Sequence, residues 1–287
     1  MAFDLDKIGR WTEERTFVVG AEQTIAYAAA TNDTLEPHLR GKIAPPMFAV
    51  VPALMDVATA ASASVWISEV EGYDTRSVHG EHDLTVNEPI LPGMTLRSRA
   101  AVVGVQPKSS GTLLLTRTET RDENDTLLNT MVFVNFLREI QIDQAVGVEA
   151  PRLAPPQAVE GSDPFATIAY RVDADQSYRY AEASGDYGSY HIHDEAARGA
   201  GFPGVIVHGL CTMAFAARAV VEACCADDSR RLKRLGVRFT QPLLPNQQIT
   251  TRIYRGGESE GRCVYSLEVD DAAGQGVIRR GIAEVRE

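Results

Sequence analysis

The sequence is poor in the features that mark several classes of protein. Its 287 residues include four cysteines, whose spacing matches neither a metal site nor a disulfide framework, so we expect reduced thiols in a cytoplasmic protein. The net charge of −11 disfavours nucleic acid as a partner, because phosphate binding needs a basic face. Residues Met1–Asp6 lack the apolar core of a signal peptide. The longest apolar run, Met47–Met55, is interrupted by Pro52 and is too short to span a bilayer.

What the chain does contain is a copy of part of itself. Residues Phe17–Asp33 align with Tyr170–Asp186 at a constant offset of 153, with seven identities in seventeen pairs. The same offset pairs His38 with His191, and it also aligns two proline-containing strings further along. Agreement in three separate places indicates a duplicated domain.

Both copies have the same predicted order of elements. A short β-like run and a short helix precede a longer apolar helix, at Met47–Ile67 in the first copy and Gly209–Ala223 in the second. The second of these helices carries only Arg218 and Glu222 as charges, which indicates burial on most sides. Four strand-like runs follow in each copy, at 79–89, 95–105, 111–120 and 127–137, and at 235–242, 248–254, 262–269 and 276–285. This pattern predicts an α+β fold.

The duplication also predicts the division into domains. We assign residues 1–138 to an N-terminal unit, 139–165 to a linker and 166–287 to a C-terminal unit. The linker assignment depends on the Pro-rich tract Glu149–Gln157, which has no periodic pattern. With 44% hydrophobic residues, the chain can supply two cores of ordinary size.

One loop in the second copy combines two titratable groups. Asp186 and His191 lie five residues apart, and His208-Gly209 follows where a short strand ends and the apolar helix begins. A carboxylate and an imidazole that reach one water molecule can remove one proton and supply another. A backbone N–H at a helix start can stabilise negative charge on a carbonyl oxygen. The pattern therefore indicates chemistry at a carbon activated by a carbonyl group.

The string Tyr180–Asp186 with His191, followed by Ala200-Gly201-Phe202 and Val207–Thr212, resembles the MaoC-like (R)-specific enoyl-CoA hydratases, also called hydratase 2. The resemblance covers nearly the whole chain, because the first copy is similar to the degenerate N-terminal unit of that family. It implies a double hot-dog fold, in which each of two antiparallel sheets wraps a central helix. It also implies a hydro-lyase of fatty-acid metabolism that adds water reversibly, in a syn manner, to trans-2-enoyl-CoA.

The same resemblance implies roles for individual residues. Asp186 and His191 would hold the reacting water as an acid–base pair, in which either could be the base, and the N–H of Gly209 would be the oxyanion donor. The basic run Arg230–Arg234 is a candidate contact for an anionic ligand, although a solvated turn would have the same composition. The residues predicted to bind substrate are Tyr187, Gly188, Ser189, Tyr190, His208, Arg231, Lys233 and Arg238. We also weigh a second role for His208, as a residue that packs beneath the loop.

The first copy keeps Asp33 and His38 but has Pro46 where the repeat places Gly209. Because proline has no N–H to donate, we expect no oxyanion donor there. This copy should instead cradle the acyl group and the pantetheine arm.

The catalytic loop departs from the usual pattern of the family, Asp-x-Asn-Pro-aliphatic-His. Gly188, Ser189 and Tyr190 occupy the last three positions before the histidine. The glycine should make the loop freer, and the tyrosine should narrow the pocket or change its polarity. Three alternatives therefore stay open: a dehydratase that acts on acyl-carrier-protein thioesters, a non-catalytic acyl-thioester binding protein, and a hot-dog thioesterase.

We expect no metal or redox cofactor. His191 and His193 flank Ile192, but the sequence offers no evident third ligand. The predicted partner is an acyl-CoA or acyl-carrier thioester, without nucleic acid or membrane, and a homodimer is one option for assembly.

Overall fold

The computed structural model describes residues 3–65, 73–153, 161 and 163–287. Its strands are β1 (Arg15–Val18), β2 (Ser77–Val86), β3 (Thr95–Lys108), β4 (Gly111–Arg121), β5 (Leu127–Arg138), β6 (Val146–Gly147), β7 (Ala166–Val172), β8 (Leu232–Phe239), β9 (Gln247–Ser259), β10 (Arg262–Asp270) and β11 (Gly276–Arg286). Its α-helices are α1 (Ala21–Ala30), α2 (Glu36–Leu39), α3 (Val50–Ser64), α4 (Tyr73–Arg76), α5 (Gln176–Ser184), α6 (Ser189–Ile192), α7 (Asp194–Gly199) and α8 (Gly209–Cys224). Short 3₁₀ turns occupy Leu5–Lys7, Pro46–Ala49 and Ser229–Arg231.

The strands form one antiparallel sheet in which the two copies are arranged symmetrically. Its order is β1-β3-β4-β5-β2-β8-β11-β10-β9-β7, so each half has the same internal order read from its outer edge. The equivalent strands β2 and β8 join the halves, with Glu81 opposite Arg238 and Asp83 opposite Gly236. The prediction of an α+β fold built from two copies is confirmed.

Helix α8 is the central helix of the second unit. Eleven of its sixteen residues are buried, and it packs against β7, β8, β9 and β11. Burial of Leu, Met, Phe and Val side chains contributes roughly 1.5–3 kcal/mol each, so this helix fixes the position of the loop that precedes it. The sequence predicted its end to within one residue.

Helix α3 is the counterpart in the first unit, where it packs against β3 and β4. A 3₁₀ turn at Pro46–Ala49 precedes it, and residues 66–67 of the predicted helix lie outside the described part. The turn and α3 together form a segment, Pro46–Ser64, with the length and mean hydropathy (1.5) of a membrane span, longer than the run seen in the sequence. Within this segment, 56% of an 18-residue window is buried, and buried core helices of soluble proteins can have the same length and hydropathy. The expected absence of a membrane partner stays a prediction.

The two units meet at residues that the repeat makes equivalent. Tyr27 and Tyr180 pack edge to face with ring centroids 5.7 Å apart, and their hydroxyl oxygens lie 3.4 Å apart. The Tyr27 hydroxyl donates to the carbonyl of Met47 at 3.0 Å. Around this centre, Gln176 donates to the carbonyl of Ala30 at 2.6 Å. Both units therefore share one continuous core.

The tract predicted to be a linker contains some regular structure. Strand β6 pairs with β3 through Val146 and Gly147, although the sequence predicted no strand there. Residues 154–160 and 162 lie outside the described part. The domain boundaries at 138 and 166 stay a prediction.

Candidate active site

A cavity of about 410 Å³ lies where β2, β4 and β5 of the first unit face α8 and β8 of the second. Four of the predicted site residues line it: Tyr190, His191, Gly209 and Arg238. Most of the remaining wall is apolar and includes Leu113, Phe136, Phe202, Ile206 and Leu243. A second cavity, of about 500 Å³, lies between the N-terminal segment and α3 and is lined by none of the predicted residues.

Local backbone geometry shapes the loop that carries Asp186. Helix α5 ends at Ser184 and is capped by Gly185, whose φ of +78° is in the left-handed region that favours glycine. The Asp186 carboxylate then accepts a hydrogen bond from the N–H of Gly188 at 3.1 Å. This turn leads directly into α6, which carries His191.

His191 is held in one orientation by the backbone. Its Nδ1 lies 2.8 Å from the carbonyl oxygen of Ile206. A carbonyl only accepts, so Nδ1 donates and Nε2 carries the lone pair of the neutral ring. Burial, followed by the neighbouring His208, lowers the pKa of His191, and Asp186 opposes that shift. The ring is therefore neutral and can accept a proton through Nε2.

His208 lies beneath the loop. Its ring stacks on that of His191 with centroids 3.8 Å apart, and its Nε2 donates to the backbone carbonyl of Asp186 at 2.9 Å. Only 1% of this residue is exposed, and burial lowers its pKa. His208 thus contacts both Asp186 and His191, and its predicted contact with substrate stays a prediction.

Gly188 lies between the side chains of Asp186 and His191. A Cβ atom placed on it would lie 3.1 Å from Cδ2 of His191, 3.3 Å from Oδ1 of Asp186 and 3.9 Å from Nε2 of His191. Asp186 and His191 therefore border the same small space. Because its φ is −49°, Gly188 is not required for an unusual backbone, and its value at this position is steric. The expectation that the glycine makes the loop freer stays a prediction.

Gly209 begins α8 and lines the cavity. The first N–H groups of a helix have no partner within it, and the helix dipole places partial positive charge there. A Cβ atom on Gly209 would lie 3.3 Å from three ring carbons of Phe239. A glycine here lets the Phe239 ring pack closely against the start of α8.

The remaining predicted residues have diverse positions. Tyr190 packs on His191 with ring centroids 4.4 Å apart, and Ser189 begins α6. Tyr187 is 53% exposed. Arg238 pairs with Glu81 at 2.8 Å. Arg231 and Lys233 instead donate to backbone carbonyls, those of Arg286 at 2.8 Å and Asn87 at 2.9 Å. Neither of these two is among the described residues that line the cavity.

The first unit contributes cavity residues that the sequence did not predict. His79, Lys108 and Arg138 all line the cavity. Burial lowers the pKa of His79 to about 4, and its Nε2 is a buried atom with no partner in the described part of the chain. The only sequence signal for His79 was its place at the start of the strand predicted at 79–89.

The equivalent site in the first unit is closed. His38 has both ring nitrogens engaged, Nδ1 with Asp33 at 2.7 Å and Nε2 with the hydroxyl of Ser229 at 2.9 Å. The cavity beside them measures about 10 Å³, far less than the 410 Å³ of the cavity at the second unit. The expectation that Asp33 and His38 are not catalytic stays a prediction.

The described residues include one group whose atoms are close enough to hold a metal ion, namely Glu258, Cys263 and Glu287. Both glutamates are exposed, and exposed acidic groups are common without an ion. His193 is exposed as well. The expected absence of a cofactor stays a prediction.

Two family models match this chain. The MFE-2 hydratase 2 N-terminal domain matches residues 19–139, and the MaoC like domain matches residues 156–275. This chain belongs to the MaoC-like family. The two matches correspond to the two copies, and they confirm the resemblance seen in the sequence.

Individual relatives agree with the family. The peroxisomal multifunctional enzyme type 2 of Drosophila melanogaster is 30% identical over 215 residues, which cover 74% of this chain. The chain spans only 36% of that relative. The 3-hydroxyacyl-thioester dehydratase Y of Mycobacterium tuberculosis is 29% identical over 303 residues, and the alignment covers 99% of this chain and 99% of that relative.

Solved structures confirm the predicted double hot-dog fold of this MaoC-like chain. A MaoC-like dehydratase from Phytophthora capsici has a TM-score of 0.83 and 25% identity, covering 99% of this chain and 98% of its own. Rv0216 of Mycobacterium tuberculosis, described as a double hot-dog fold, has a TM-score of 0.63 and 14% identity, with 96% and 95% coverage.

Proposed function

We propose that this protein adds water reversibly to trans-2-enoyl thioesters and forms (R)-3-hydroxyacyl thioesters. One observation carries the proposal: Asp186 and the neutral His191 border one small space beside a cavity that also contains the start of α8. The family and its relatives, among them a probable enoyl-CoA hydratase 2 of Dictyostelium discoideum, support this reaction class.

In this mechanism, a water molecule occupies the space between Asp186 and His191. One of the two groups takes a proton from the water, and the water oxygen forms a bond to C3 of the enoyl group. The π electrons move toward the thioester oxygen and give an enolate. The proton is then delivered to C2 on the same face, so that one water supplies both added groups.

The enolate oxygen needs a fixed donor in this mechanism. We assign that role to the N–H of Gly209, supported by the positive end of the α8 dipole. A donor of this kind contributes about 10²–10³-fold to the rate. It acts without reorganising, since α8 is buried along most of its length.

The acyl chain would occupy the apolar part of the cavity. Leu113 and Phe136 on the first unit and Leu243 on the second supply its walls. Dehydration of 3-hydroxyacyl thioesters uses the same groups in the reverse direction, so a dehydratase is the second candidate. CoA is the proposed carrier, and a cytoplasmic location rests on the four free cysteines.

The proposal is tested by incubating the protein with short and medium trans-2-enoyl-CoAs. We expect the conjugated enoyl absorbance to fall and the product to react only with a dehydrogenase specific for (R)-3-hydroxyacyl-CoA. Binding of the enoyl-CoA without turnover would favour the non-catalytic binding protein. Release of free thiol would favour the thioesterase. Either result would refute the proposed reaction.

A further inference from the structure

The cavity carries a local charge opposite to that of the whole protein. The chain has a net charge of −11, yet the charged side chains that line the cavity in the described part are Lys108, Arg138, Arg238 and Glu81. Arg238 and Glu81 neutralise each other through an ion pair of 2.8 Å. No ion pair links Lys108 or Arg138 to another described residue. Two positive charges therefore remain at this wall.

The register of the sheet places these two cations together. Gly111, the first residue of β4, lies opposite Lys108 of β3 and also opposite Arg138 of β5. Residues directly opposite one another project to the same face of a sheet. With strands about 4.8 Å apart, the two backbones are separated by roughly 10 Å, and the residue between them has no side chain. The two cations can therefore approach one anionic group.

Aromatic contacts connect this pair to the acid–base residues. The Arg138 guanidinium carbon lies 5.9 Å from the ring centroid of Phe202, across the cavity in the second unit. Phe202 packs on Tyr190 at 5.5 Å, and Tyr190 packs on His191 at 4.4 Å. A ligand that spans from His191 to Arg138 would thus follow a continuous aromatic wall.

The basic run that the sequence suggested is engaged elsewhere. Arg230 pairs with Asp228 at 2.7 Å, and Arg234 pairs with Asp83 at 2.6 Å and with Glu284 at 3.2 Å. Arg231 and Lys233 donate to backbone carbonyls, as described above. These four side chains have intramolecular partners, whereas Lys108 and Arg138 face the cavity.

We propose that Lys108 and Arg138 bind a phosphate group of the carrier to which the acyl chain is attached. This inference rests on the proposed function, because acyl thioesters of CoA and of carrier proteins both have a phosphate on the pantetheine arm. Arginine binds phosphate oxygens through its planar fork, and lysine adds a point charge. In an acidic protein, such a pair also attracts the anionic substrate to the correct opening.

The test compares three crotonyl thioesters that differ only in the carrier: CoA, 4′-phosphopantetheine and pantetheine. With CoA, we expect Lys108→Gln and Arg138→Gln each to raise KM about tenfold or more, because each removes a charge-assisted hydrogen bond. We expect kcat to stay unchanged, and pantetheine thioesters to be unaffected. Arg230→Gln serves as the matched control, because it removes an exposed cation from the basic run Arg230–Arg234. It should change neither KM nor kcat.

The pattern of effects identifies the phosphate. An effect on both phosphorylated carriers assigns the site to the 4′-phosphate, which carrier proteins share, whereas an effect on CoA alone assigns it to the nucleotide phosphates. An equal rise in KM for the pantetheine thioester, or an unchanged KM for the CoA thioester, would overturn the inference. If the wild type turns over none of the three, the proposed function fails. Calorimetric binding of CoA to the same variants then decides the inference separately, with weaker binding expected for both.

Discussion

The steric position of Gly188 leads to a prediction that separates activity from stability. Gly188→Ala adds one methyl group to a backbone with φ −49° and ψ 123°, which alanine adopts without strain. The substitution reduces the entropy of the unfolded chain, which can stabilise a protein by about 0.4–1 kcal/mol. We therefore expect the free energy of unfolding to stay the same or to rise.

The same methyl group should impair catalysis. It would lie 3.1 Å from Cδ2 of His191 and 3.3 Å from Oδ1 of Asp186, whereas carbon contacts prefer about 3.5–4.0 Å. Both groups must then move by several tenths of an ångström. A displacement of about 1 Å can cost about 10²-fold in rate, so we expect kcat to fall about tenfold, with little change in KM.

Initial rates with crotonyl-CoA and urea denaturation of the same samples would measure both effects. Gly199→Ala is the matched control, because a Cβ atom there meets nothing within 4 Å. It should leave kcat unchanged. An unchanged kcat in Gly188→Ala would refute the assignment of Asp186 and His191 to one reacting space. A loss of stability together with kcat would show that the methyl group disturbs the fold instead.

Three further predictions concern other residues. Gly209→Pro should lower kcat for crotonyl-CoA about 10²–10³-fold while the far-ultraviolet circular dichroism stays unchanged, because proline is tolerated at the first position of a helix but has no N–H. Gly209→Ala keeps the N–H, so its kcat should fall less. Burial keeps the pKa of His82 well below its usual value, so protons bind the unfolded chain first and the contribution of His82 to stability should fall below about pH 6.5, by up to about 1.4 kcal/mol per pH unit. His79, His191 and His208, whose pKa values burial also lowers, add to the slope, so His82→Leu should reduce it by about that amount in urea denaturation between pH 7.5 and about pH 5. His38→Ala removes a hydrogen bond from the buried Asp33 carboxylate and should lower the free energy of unfolding by about 1–3 kcal/mol, while kcat of the folded fraction stays unchanged. An equal loss of kcat would contradict this.

The sequence predicted the fold well where the determinants are local or repeated. The offset that aligns Tyr27 with Tyr180 predicted two equivalent units, and the apolar pattern predicted α8 almost to its last residue. The contact between these tyrosines could not be predicted, because it depends on how the units pack about their common axis. Strand β6 was missed because a strand of two residues is too short to show an alternation of apolar and polar side chains.

The sequence placed Asp186 and His191 together because both lie on one loop, and the structure brings their side chains close to Gly188. The contributions of the first unit were missed for a topological reason: His79, Lys108 and Arg138 reach the cavity only because β2 pairs with β8 across the units. A search for charge along the sequence led instead to Arg231 and Lys233, whose side chains bind carbonyl groups. Charge density along a chain does not reveal which cations already have partners.

In the proposed mechanism, the second copy performs the chemistry and the first copy does not. The most direct test is kcat for crotonyl-CoA hydration in Asp186→Asn beside the equivalent substitution Asp33→Asn. We predict a loss of about 10²-fold or more for Asp186→Asn and an unchanged kcat for folded Asp33→Asn. Full activity in Asp186→Asn, or a comparable loss in Asp33→Asn, would contradict the claim.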